Sequence, residues 1–317
     1  MPETRVPKLP NFILAGAPTS GTTSLHHYMG QHPQVYMSPI KEPTTFAAAD
    51  MLCHPDFRRA IERKKEALHA YLAGPRVESA RFWVPEWNDY LRLFANVRDQ
   101  TAIGEGSVSY FWLPGAARAI QEKIPDVKLI FILRDPTDRL FSWYLMTLQT
   151  EPQVKFRDRL QRELRETGGN SPSLLRQFDG GRYATQLQRF VDLFPREQIR
   201  IYLYESFRAD AQAVMRDIFA FLGVDPHHPI DMSHRHNETL VPRFPAVARL
   251  RQRILGNVPL STWLPGPAGN ALRNFYYRRK GDFAIDPDDR RMVIDYYRDE
   301  ILRAEDLIGR DLSAWLR

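Results

Sequence analysis

Residues 11–25 read NFILAGAPTSGTTSL. An apolar run, Phe12–Ala15, meets a turn containing Gly16, Pro18 and Gly21, and a helical pattern follows over Thr22–Gln31. Short apolar runs that carry aromatic or β-branched residues and lead into helices read as buried parallel strands. A strand, a glycine-containing turn and a helix start also make an anion site, because turn N–H groups point inward and the helix N-terminus adds partial positive charge. Thr22 and Thr23 add hydroxyl donors. The same string also describes a plain strand-to-helix turn with an N-capping threonine.

Two further apolar runs extend the pattern, Val127–Leu133 and Ile199–Leu203, with a weaker one at Thr101–Ile103. Helical spacing follows at Pro114–Lys123, Pro136–Thr147, Arg182–Phe194 and Ser206–Leu222, and a last helix is expected at Pro287–Leu307. Strands alternating with helices predict an α/β fold with a parallel sheet flanked by helices, and ligands in such sheets bind beyond the carboxyl ends of the strands. Residues 53–96 interrupt the alternation with charged helical sequence and are expected to form an inserted cap. Prolines and basic residues crowd 242–285. We expect one domain over residues 1–317.

The glycines of the first turn match the triphosphate loop G-x-x-x-x-G-K-[ST], but Thr22 stands where that loop has its lysine. The lysine bridges the β- and γ-phosphates, so its absence argues against an ATP- or GTP-dependent kinase or NTPase, the alternative enzyme class. The turn suits a terminal 5′-phosphate or a similar anion. A second string, LIFILRDPTDRLFSWYL (129–145), ends a strand at Arg134 and places Ser142 about two helical turns on. An arginine and a hydroxyl are a sensible pair for a phosphate. Arg134 pairing with Asp135 or Asp138 at a helix cap is the competing reading.

The composition is ordinary for a globular chain of 317 residues: 43% hydrophobic and 26% charged, which excludes a disordered or collagen-like chain. The net charge of +6 fits an anionic ligand and is weak for a nucleic-acid binder. One cysteine, Cys53, excludes an internal disulfide and favours a reducing compartment. No apolar run approaches the ~20 residues that span a bilayer, so a cytoplasmic protein is expected.

Together the GAPTSGTTSL loop, SPIKEP (38–43), GEGSVSYF (104–111), LRDPTDRLFSWY (133–144), AFLGVDP (220–226) and LIGRDLSAW (307–315) resemble the sulfotransferases that use 3′-phosphoadenosine-5′-phosphosulfate (PAPS), in particular the bacterial and heparan-sulfate-type branch. The resemblance implies the P-loop-like sulfotransferase fold. It further implies transfer of a sulfuryl group from PAPS to a hydroxyl or amine of a small-molecule, lipid or carbohydrate acceptor, with no metal and no nucleic-acid partner. It puts the 5′-phosphosulfate end on Ser20, Gly21, Thr22 and Thr23, and the 3′-phosphate on Arg134 and Ser142. In the heparan-sulfate-type branch the glutamate matching Glu42 is the base that takes the acceptor proton. The family usually has a loop lysine where this chain has Thr19. Lys41 is the candidate replacement, and a catalytically impaired nucleotide-binding relative is the other reading.

Between Arg243 and Lys280 lie eight basic residues and no acidic one. Arg278, Arg279 and Lys280 are candidates to close over the 3′-phosphate. The stretch Ala246–Leu255 suits an anionic glycan or peripheral contact with a membrane surface. His26, His27 and His32 belong to no cluster with metal-ligand spacing, although His26 sits one turn beyond Thr22. Glu105, Ser107 and Tyr110 end a probable strand, where they either line the acceptor pocket or serve as caps and core.

Overall fold

The computed structural model describes residues 8–74, 82–148, 154–166, 178–233, 240–244, 247, 275–279 and 282–317. The chain forms two compact units. The first takes residues up to Arg134, then 182–236 and 300–310; the second takes 135–181, 237–299 and 311–317.

In chain order the first unit opens with β1 (Phe12–Gly16), α1 (Thr22–Met29), β2 (Val35–Met37), α2 (Ala48–Leu52), α3 (Pro55–Ala73), α4 (Trp87–Arg92), β3 (Ala102–Gly106), α5 (Ser109–Trp112), α6 (Ala116–Lys123) and β4 (Lys128–Leu133). The chain then enters the second unit with α7 (Pro136–Thr147) and α8 (Phe156–Glu166). It returns to the first with α9 (Tyr183–Val191), β5 (Ile199–Leu203), α10 (Tyr204–Ala209) and α11 (Ala211–Leu222). The second unit resumes with β6 (Leu240–Pro242) and β7 (Tyr277–Arg279), and α12 (Pro287–Ile308) ends in the first.

The five strands of the first unit form one parallel sheet in the order β2-β3-β1-β4-β5. Every residue of β1 and β3 is buried, which explains why the apolar runs are continuous rather than alternating. Phe12, Leu14, Ile130 and Ile132 pack with Leu25 and Met29 of α1 and with Ile218 and Phe219 of α11. Phe131 meets Phe111 of α5 and Phe190 of α9 at ring distances of 5.7 and 4.9 Å. Each such aromatic side chain contributes about 1.5–3 kcal/mol of burial.

The expected helix at Ser206–Leu222 is two helices. Asp210 leaves helical geometry (φ −144°, ψ 85°), and its carboxylate accepts from the Ala213 N–H at 2.9 Å, so it starts α11 as a cap. Periodicity alone runs across such a break because both helices keep their apolar residues on the core. In the inserted segment, α3 starts on Pro55 and buries only Leu68 and Leu72. No helix among the described residues is long and apolar enough to cross a membrane.

In the second unit, Asp135 caps α7 by accepting from Thr137 and Asp138 N–H at 2.7 and 3.2 Å, with Pro136 in the first turn. Arg290 of α12 donates to Asp135 and Asp138 at 2.9 and 3.1 Å. Strands β6 and β7 pair antiparallel.

Candidate active site

At the end of β1 the chain must turn under a crowded ceiling. A Cβ on Gly16 would lie 2.6 Å from Phe111 Cβ, so only glycine fits. The Ala17 N–H donates to the Ile132 carbonyl at 2.8 Å, tying the turn to β4. Thr19 has a left-handed backbone (φ 57°), and its hydroxyl donates to the Pro18 carbonyl at 2.7 Å. Ser20 is fully enclosed, with Oγ 3.3 Å from the same carbonyl. Gly21 precedes α1 with φ 91°, a conformation that glycine adopts without steric cost.

The cap residue of α1 is therefore glycine, without a side chain to bond the first-turn N–H groups, and no acidic residue occupies that turn. The threonine-capped turn considered from the sequence is not what forms. Helix starts leave their first amides without intrahelical acceptors, and such amides favour an anion. This is the arrangement a 5′-phosphate needs, with Thr22 buried and Thr23 partly exposed beside it.

Arg134, at the end of β4, joins this turn. Its Nη1 donates to the Thr19 carbonyl at 3.1 Å, and its guanidinium lies 4.8 Å from the centre of the Tyr204 ring. The Tyr183 hydroxyl donates to the Arg134 carbonyl at 2.7 Å. Stacking and a fork of donors suit arginine over lysine. Tyr204 also sits against Gly21, 3.1 Å from where a Cβ would be. Neither tyrosine's role is readable in sequence, although Tyr204 directly follows β5, where the ligand edge of a parallel sheet lies.

A second group gathers beyond β3. The Glu42 N–H donates to the Gly106 carbonyl at 2.9 Å. The carboxylate accepts from the Val108 N–H at 2.8 Å and from Lys41 Nζ at 2.7 Å. Lys41 and Glu42 are both partly exposed, so the pair opens to solvent. Glu42 and Thr44 are left-handed, with φ 63° and 59°. The Thr44 N–H donates to Ser107 Oγ at 3.2 Å, and Ser107 donates to Glu105 at 2.8 Å. Glu105 is fully buried, and burial pushes its pKa up to about 8. His26 Nδ1 is sealed from solvent beside Gly106, and burial, then Lys41 and His27, push its pKa down to about 3.

The remaining candidates belong to the second unit. Ser142 is buried in α7 and donates to the Asp138 carbonyl at 2.7 Å. Arg278 donates to the Asp282 carbonyl at 2.8 Å and stacks on Phe283 at 4.3 Å. Arg279 closes β7. Lys280 lies outside the described residues, as does most of the stretch Ala246–Leu255. Among the described residues no group of three His, Cys, Asp or Glu side chains could hold a metal ion.

Comparison with known proteins agrees with this architecture. The crystal structure of a sulfotransferase from Alicyclobacillus acidocaldarius superposes with a TM-score of 0.70 at 29% identity, covering 98% of this chain and all of that one. The human bifunctional heparan sulfate N-deacetylase/N-sulfotransferase 3 is 24% identical over 318 residues, and the mouse N-deacetylase/N-sulfotransferase 4 is 25% identical over 317 residues. Both matches cover 98% of this chain, which spans only 31% of the length of those relatives. The model of the sulfotransferase family matches residues 10–229, a stretch containing the Gly16–Gly21 turn, the Lys41–Glu42 loop and Arg134, and the chain belongs to the sulfotransferase family.

Proposed function

We propose that this chain transfers a sulfuryl group from PAPS to a hydroxyl or amine of a small-molecule, lipid or carbohydrate acceptor. The observation that carries the reading is the union of the uncapped start of α1 with the Arg134 guanidinium, which brings donor amides and a fixed cation to one turn.

In this reading Ser20, Gly21, Thr22 and Thr23 bind the 5′ end of the donor. Arg134 and Ser142 bind the 3′-phosphate, with Arg278, Arg279 and Lys280 contributing further charge. Glu42 takes the proton from the acceptor as its oxygen or nitrogen bonds to sulfur and the sulfur–oxygen bond to adenosine 3′,5′-bisphosphate breaks. Lys41 supplies positive charge for the oxygen that leaves. Such reactions depend on positioning and on stabilising spread charge, as in phosphoryl transfer.

Thr19 leaves the turn without its customary lysine, and Lys41, beside Glu42, is the cation that takes its place in this reading. This favours a working site over a decayed one. The direct test is a screen with sulfur-labelled PAPS over phenols, sterols, amino sugars and glycolipids, with mass detection of an added sulfate. Label transfer to any acceptor supports the reading. Mg²⁺-dependent ATP turnover in place of sulfate transfer would overturn it.

A further inference from the structure

The loop that carries Lys41 and Glu42 is held in an unfavourable backbone. Two non-glycine residues within three positions, Glu42 and Thr44, adopt positive φ. Each costs of order 1–3 kcal/mol and persists only where the surroundings impose it. Three bonds from the β3 end impose it here. The Gly106 carbonyl takes the Glu42 N–H, the Val108 N–H holds the Glu42 carboxylate, and Ser107 Oγ takes the Thr44 N–H.

The last of these bonds has a support of its own. Ser107 spends its one proton on Glu105 Oε2 at 2.8 Å, which turns its lone pairs toward Thr44. Glu105 is fully enclosed, with the hydroxyls of Tyr110 and Tyr90 as well as Ser107 bonding its carboxyl. The hydroxyls of Tyr90 and Tyr110 are buried in the same space, and Tyr110 packs against Phe46. Nothing the proposed chemistry needs accounts for an acid at this place, which is closed to solvent.

We infer that Glu105 is a positioning residue for the Lys41–Glu42 pair, acting through Ser107 and Thr44 to hold the loop in its left-handed conformation. The inference rests on the proposed roles of Glu42 and Lys41. A carboxylate enclosed away from water is an expensive charge, so the neutral acid is the form that fits. Burial is the main cause of its raised pKa of about 8. The hydroxyls of Tyr110 and Ser107 oppose the shift, Glu42 adds to it, and Lys41 opposes it. The charged and titratable groups around Glu105 are thus Glu42, Lys41, Tyr110 and Tyr90. Once ionised, Glu105 repels Glu42 and competes for Lys41, which loosens the pair it otherwise holds.

The test compares Glu105→Gln, Ser107→Ala and Glu42→Gln in the full chain, measuring kcat from pH 6 to 9 and the affinity for adenosine 3′,5′-bisphosphate. Gln keeps the acceptor for Ser107 without a proton to lose. Glu105→Gln is expected to retain kcat at neutral pH and to lack the decline expected of the unaltered protein as pH passes about 8. Ser107→Ala, a small change that keeps the core volume, is expected to lower kcat about 10- to 100-fold, the scale of a slight misplacement, with nucleotide affinity unchanged. Unchanged kcat in Ser107→Ala, or the same alkaline decline in Glu105→Gln, overturns the inference even where Glu42→Gln is inactive. An active Glu42→Gln variant instead removes the role of Glu42 itself. A lowered melting temperature with kcat and pH profile intact would make Glu105 a purely structural residue.

Discussion

Arg134 and Thr19 are joined by a hydrogen bond of 3.1 Å, although 115 residues separate them in the chain. The bond fastens the last side chain of β4 to the turn after β1. The two strands are neighbours in the sheet, so the turn and the arginine emerge at the same edge. The consequence is a glycine-containing turn whose backbone is braced by the Arg134 guanidinium.

In the proposed assignment Arg134 binds the 3′-phosphate, so replacing it by alanine should act on the nucleotide's 3′ end. A charge-assisted hydrogen bond is worth about 1.5–3 kcal/mol, so affinity for adenosine 3′,5′-bisphosphate should fall roughly 10- to 100-fold. Adenosine 5′-phosphate should lose much less. Titration calorimetry with the two nucleotides separates these outcomes, and equal losses would show that Arg134 braces the turn without reading the 3′ group.

Glu42→Gln should remove turnover while nucleotide binding persists. A positioned base contributes about 10²–10⁴-fold, and the amide cannot take a proton at neutral pH. The substitution keeps the size of the side chain and an acceptor for the Val108 N–H. Retained turnover with any sulfated product would show that another group takes the proton.

Thr19→Lys asks whether the turn needs its customary cation. With Lys41 already supplying that charge, the added lysine should change kcat little. A gain of about tenfold or more, equal to about 1.4 kcal/mol of barrier, would mean that Lys41 leaves the leaving oxygen unattended.

Gly21→Ala should be destabilising. The residue has φ 91°, and its Cβ would come within 3.1 Å of the Tyr204 ring. The cost is about 1–3 kcal/mol, visible as a lowered melting temperature, and nucleotide should bind more weakly because Tyr204 must shift away from Arg134. A variant with unchanged melting and affinity would show that the turn is not confined at this point.

His26 should make stability fall on acidification. Its folded pKa of about 3 lies below the usual value of 6.5. Between those two values the unfolded chain binds a proton that the folded chain refuses. Stability is thus fully present above pH 6.5 and is lost as pH falls toward 3. Thermal melts across this window should show a shallower decline for His26→Gln, and an identical decline would place the acid sensitivity elsewhere.

Much of this fold is written locally. A strand buried on both faces needs an unbroken apolar run, so β1, β4 and β5 lie within a residue of where the runs predict them. Helix α7 runs over Pro136–Thr147 as expected, because the aspartate cap and the proline that start it are adjacent residues. The turn with Gly16 and Gly21, the Lys41–Glu42 string and Arg134 could be picked out as candidates for the same reason: each is a short string at a strand end. The break at Asp210 is not legible in the sequence because its signal, one capping side chain, is weaker than the apolar periodicity that runs through it.

The partnerships are a different matter. Nothing in the linear order says that Arg134 meets Thr19 and Tyr204, that Val108 and Lys41 share the Glu42 carboxylate, or that Glu105 is enclosed with two tyrosines. Those meetings follow from the strand order β2-β3-β1-β4-β5, which sets distant segments side by side. A residue's propensity is a property of its neighbours along the chain. Its charge state and hydrogen-bond partners depend on which remote groups close around it and exclude water, and only the packed sheet with its helices supplies those.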